Sequence, residues 1–223
     1  MSSLTTSSSS SKECHPLNCL PSQPVGTMPV STPIQIPSPI LALDRQYEAL
    51  EKQYAHLYAD KRIHLTSLSL KNPVLKIAKD SFKILNPDKD FYLGVTMSAG
   101  KVAILARGQL PTSPPSSRIG LFCCARISPL VACELMHILM REAGCTSIEI
   151  CVVGSDRPTS NKRLPYPAGS YENCSALLAK AKKLRIVAVS LFESDVVDVA
   201  ISPSCVYMSY GGLFRKFHPI LDL

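Results

Sequence analysis

Nine cysteines and five histidines are the residues of this 223-residue chain best equipped for chemistry. A thiol nucleophile needs a histidine base and an orienting carboxylate. A structural zinc needs four ligands, usually as two close pairs. Cys14, His15 and Cys19 have ligand-like spacing, but no second pair follows them at a suitable distance. Cys123 and Cys124 are neighbours and cannot share one face of a strand. Cys133 and Cys151 lie inside apolar runs, where a free thiol behaves as a small hydrophobe. His137 sits in an apolar helical pattern, where a hydrogen-bonded core histidine is the expectation. No Gly-x-Ser-x-Gly, Walker or Gly-x-Gly-x-x-Gly motif is present. The reading is therefore no catalytic residue, no metal and no cofactor. A cysteine-dependent enzyme with a cleft near residues 154–169 is the alternative.

The other chemistry available is anion binding. The formal charge is +7, and the second half carries two short clusters of basic residues. Arg157, Lys162 and Arg163 lie on one loop, and Lys180, Lys182, Lys183 and Arg185 lie at the end of a helix. If loop and helix flank the same end of a sheet, these seven form one patch able to contact phosphates. RNA, DNA and acidic lipid would then bind with salt-dependent, sequence-blind affinity. No aromatic signature of an RNA-recognition sheet accompanies them.

Those residues must be positioned by the surrounding elements. Residues 1–40 are rich in Ser, Thr and Pro and nearly free of charge, which predicts a disordered tail. Residues 41–88 read as a helical segment. Tyr47, Leu50, Tyr54 and Leu57 recur at spacings of three and four. They form either a self-association seam or a helix docked on its own domain. A second short helix is expected from Val74 to Leu85. Residues 89–223 read as the α+β domain. Phe91–Met97 and Lys101–Arg107 flank Ser98-Ala99-Gly100, a hairpin signal.

The centre is strand–helix–strand from Arg118 to Val153. Ser128 caps the helix, Pro129 takes its first position and Gly144 closes it. The helix is apolar almost all round, which predicts burial on every side. Another helix follows from Ser170 to about Lys183, then strands at 185–192, 196–201 and 205–210. The fold class expected is α+β, with one mixed or antiparallel sheet covered by helices.

No run of 18 apolar residues marks a membrane span, and the N-terminus lacks the pattern of a secretory signal. With the buried-type cysteines, this points to a reducing, intracellular compartment and against secretion. Plastid import is a further alternative, from the Ser/Thr-rich, acid-poor start. In layout, a small basic chain with a Ser/Pro-rich head and a tryptophan-free α+β body resembles the matrix proteins of enveloped negative-strand viruses. Pro111-Thr-Ser-Pro114 departs from their Pro-Thr/Ser-Ala-Pro motif at the third residue. That resemblance implies a structural protein that forms homo-oligomers and contacts nucleic acid or an anionic membrane.

Overall fold

The computed structural model describes residues 39–58, 74–86, 92–114, 116–155, 166–193, 196–210 and 213–219. The expected disordered tail therefore lies outside the described residues, apart from the start of the first helix. The elements are α1 (Pro39–Gln53), β1 (Val74–Lys76), β2 (Ser81–Leu85), β3 (Tyr92–Thr96), β4 (Val102–Leu110), β5 (Ser116–Cys124) and α2 (Pro129–Glu142). They continue with β6 (Ser147–Ser155), α3 (Tyr171–Leu178), β7 (Ile186–Glu193), β8 (Val196–Ile201), β9 (Cys205–Tyr210) and β10 (Leu213–Pro219).

The class is α+β, but the strands form two sheets where one was expected. The first runs β2-β5-β4-β6-β7 and the second β1-β3-β8-β9-β10, five strands each. The reason lies in β4, β5 and β6. Val102–Ala106 are all buried, as are Ile119–Cys124 and Ile150–Val153. Runs that do not alternate are apolar on both faces, and both faces need cover. Tyr47, Ile104, Phe122, Met136, Ile150 and Leu177 share the core on the helix side. Leu93, Leu105, Leu121, Val153, Val199 and Val206 share the core between the sheets.

The same demand explains two departures from the expected connections. Ser98–Gly100 does turn, with Lys101 N–H bonded to the Ser98 carbonyl at 3.0 Å. Yet β3 pairs with β8 and β4 with β5 and β6, so the turn carries the chain between sheets and closes no hairpin. The chain crosses again between β7 and β8. Residues 74–85 also differ from expectation, forming strands in place of a helix. β1 lies parallel to β3, and β2 lies antiparallel to β5.

In the central unit, β5 and β6 both run antiparallel to β4, so α2 crosses over β4 between two strands of like direction. Pro129 occupies the start of α2 as expected, but the Ser128 side chain makes no capping bond. Gly144 does close the helix: at φ +88° it lets Gly144 N–H reach Arg141 O and Cys145 N–H reach Met140 O. The burial of α2 is one-sided. Ala132, Cys133, Met136 and Met140 are buried, whereas Val131 and Ile138 are each 55% exposed and Leu135 36%. This corrects the expectation of a helix buried all round: sheet covers one flank only.

Candidate functional site

The lysines after α3 owe their placement to its ending. Ser170 caps the helix by accepting from Asn173 N–H, and regular helix stops at Leu178. Turns continue to Arg185, with Leu184 N–H bonded to Lys180 O and Ile186 N–H to Ala181 O. Leu178, Ala181 and Leu184 point inward and are buried, so Lys180, Lys182 and Lys183 are turned out and exposed. Among the described residues none of the three has an ion-pair partner. Their charge also sits at the negative end of the helix dipole. Arg185 behaves differently. At φ 50° it closes the turn, donates to Ser147 Oγ at 3.0 Å and lies 3.9 Å from Glu149. It is fixed to β6 and is less available to a ligand.

Of the seven residues expected in one patch, four are described. Arg157, Lys162 and Arg163 lie outside the described residues, in a stretch that leaves from Ser155. Arg185 sits beside Ser147, at the opposite end of the nine-residue β6. A strand of that length spans roughly 26 Å. Lys180, Lys182 and Lys183 therefore stand at one end of the sheet and the departure of the basic loop at the other.

A second basic group, not anticipated from the sequence, gathers at that far end. Tyr166 has Lys79 Nζ 5.6 Å and Lys101 Nζ 5.5 Å from its ring centroid, within cation–π range. Lys101 also donates to the Thr96 carbonyl. Exposed Arg126 lies in the adjoining loop, whose form is set by Asp80. The Asp80 Oδ1 accepts from the N–H groups of Ala125 and Arg126 at 2.8 Å and of Ile127 at 3.3 Å. Desolvation pushes this carboxyl pKa up, but the three hydrogen bonds and the Arg126 charge outweigh it and leave the value lowered. Residues 79, 101, 126 and 166 are too far apart in sequence to signal this cluster.

The thiols are placed for packing. Cys123, Cys124, Cys133, Cys145, Cys151, Cys174 and Cys205 are all free and buried. Burial raises the pKa of each, that of Cys174 to about 12, which disfavours the nucleophilic thiolate. His137 Nε2 donates to the Leu184 carbonyl at 2.6 Å and ties α2 to the turn after α3. Among the described residues no group of three His, Cys, Asp or Glu is placed to hold a metal ion. Cys14, His15 and Cys19 lie outside those residues. A cavity between the sheets, bordered by Leu105, Arg107, Glu149 and Cys151, measures about 10 Å³, room for about one water.

The expected self-association seam is filled from within the chain. Tyr47 is 2% exposed and packs edge-on against Phe192 at 4.3 Å and Tyr171 at 5.5 Å. Leu50 and Leu57 are buried in the same core, with half-buried Tyr54 against it. Val189 N–H bonds to Leu57 O, which joins the end of this segment to the edge of the first sheet. These side chains serve the docked-helix alternative and are not presented to a second copy.

The fold thus defines a three-layer α+β protein of helices, sheet and sheet, with exposed basic groups at both ends of its central layer. No helix among the described residues is long and apolar enough to cross a membrane. Comparison with protein-family models and with curated proteins finds no match.

Proposed function

We propose that this chain is a non-enzymatic structural or adaptor protein that contacts an anionic surface, RNA or an acidic membrane. The observation that carries the reading is the outward placement of Lys180, Lys182 and Lys183, exposed and without ion-pair partners among the described residues. Three unneutralised charges on one short turn offer a phosphate-bearing surface more than solvation requires. The Lys79–Tyr166–Lys101 group adds a second contact that combines charge with an aromatic ring. The layout resemblance to viral matrix proteins points the same way, since those proteins bridge membrane and nucleocapsid.

The test measures binding of the whole chain to single-stranded RNA and, separately, to phosphatidylserine-containing vesicles. Replacing Lys180, Lys182 and Lys183 together with Glu should remove most binding at low salt without unfolding the protein, because all three are exposed. Wild-type affinity for RNA should fall about twentyfold or more between roughly 50 and 200 mM salt, since three phosphate contacts alone give a slope of about 2. The arm that responds identifies the surface. Binding to neither at low salt, or binding indifferent to the three substitutions, would overturn the reading.

A further inference from the structure

Val131, Leu135 and Ile138 are three of the five large apolar side chains exposed among the described residues, and all three lie on α2. Their spacing, i, i+4 and i+7, sets them in one stripe. On a helical wheel it falls opposite the face of Ala132, Cys133, Met136 and Met140 that packs on the sheet. Glu142 closes the stripe at its C-terminal end. Scattered exposed hydrophobes are ordinary, but a continuous stripe along a helix costs solvation unless something covers it.

We infer that this stripe is the interface between two copies of the chain, paired α2 on α2 in antiparallel orientation. The charges beside it select that occupant. Glu134 and Arg141 are exposed and seven residues apart, so both flank the stripe on the same side. In an antiparallel pair, like flanks face one another. Glu134 then meets Arg141 of the second copy, and the reciprocal pair forms by the same two-fold axis. Leu135 and Ile138 interleave near that axis. Arg141 already gives one N–H to the Thr146 carbonyl at 2.7 Å, and its guanidinium retains others for the carboxylate. Antiparallel pairing also opposes the helix dipoles favourably. The contact is isologous and closes on itself, giving a dimer and no filament. A 14-residue helix is about 21 Å long, so the buried area falls below that of a standard stable interface. The dimer is accordingly weak and concentration-dependent. This inference goes beyond the proposed function and does not depend on the anionic contact.

Sedimentation velocity of the full chain over a wide concentration range tests it. The wild type should shift reversibly from monomer to dimer. Leu135→Glu and Ile138→Glu should each weaken the dimer by about tenfold or more, roughly 1.4 kcal/mol. Circular dichroism should be unchanged, because both positions are exposed. Glu134→Arg alone and Arg141→Glu alone should also weaken the dimer, and the two combined should restore it. A monomer at every concentration, a dimer indifferent to Leu135→Glu, or a charge swap that fails to restore association would overturn the inference. RNA and vesicle binding by monomeric Leu135→Glu is read in parallel, so loss of pairing and loss of anion binding are separable.

Discussion

One carboxylate oxygen of Asp80 gathers three backbone N–H groups in the loop that leads into α2. Asp80 itself has φ 52°, a conformation that Asp and Asn tolerate through local hydrogen bonding. Asp80→Asn keeps both that tolerance and one acceptor oxygen, and so isolates the charge. The expected loss is about 1 kcal/mol, the usual charge-assisted gain discounted for solvent screening. The sign of the pH dependence follows from the lowered pKa. The stabilisation is fully present above the unfolded carboxyl value near 3.8 and is lost as pH falls through the lower folded value. Chemical denaturation across the acid range should show this loss in the wild type and a flatter profile in Asp80→Asn. The seven described thiols give a second prediction at this scale. In the native chain none of them should react with an aromatic disulfide reagent faster than global opening allows. One fast thiol among them would return the cysteine-enzyme reading to consideration.

At the scale of elements, α2 gives the sharpest contrast. Met136→Ala removes a side chain with no exposed surface and should cost about 2–4 kcal/mol, whereas Ile138→Ala should change stability by no more than about 0.5 kcal/mol. Equal effects would show that the helix faces have been misassigned. Gly169 tests another junction. Its N–H bonds to Gly100 O at 2.7 Å, and a Cβ there would come within 3.0 Å of the Gly100 backbone. Gly169→Ala should therefore destabilise by about 1–3 kcal/mol, read from the thermal midpoint.

The limits of the bare sequence show in these same elements. Pro129 and Gly144 bracket α2 because their backbone constraints act locally. Residues 74–85 read as a helix because Val74, Ile77, Ala78 and Phe82 fit that period, but edge pairing of β1 with β3 and of β2 with β5 decided otherwise. The second sheet was foreshadowed by the unbroken apolar runs Val102–Ala106 and Leu121–Ala125, a sign of two buried faces. Which strands would cover the second face was not legible, because the Ser98–Gly100 turn has the same local chemistry in a hairpin and in a crossing between sheets.

For the molecule as a whole, α1 belongs to the core. Tyr47→Ala should cost about 3–5 kcal/mol and leave association unchanged, since its ring is buried in the core against Tyr171 and Phe192. The candidate site was partly readable at this scale. Lys180, Lys182 and Lys183 share one turn, so their common exposure follows from Leu178, Ala181 and Leu184 packing inward. Their separation from the departure of the basic loop follows from the length of β6, and the Lys79–Tyr166–Lys101 group exists only once three distant segments have met. The central claim is that these lysines contact phosphate, and salt linkage tests it most directly. The slope of log affinity against log salt for single-stranded RNA, or for vesicles if they are the surface bound, is measured for the wild type and for Lys180, Lys182 and Lys183 all changed to Gln. On RNA the slope should shrink by about 2 as three contacts are lost, with a corresponding fall on vesicles. Identical slopes for the two proteins would contradict the claim.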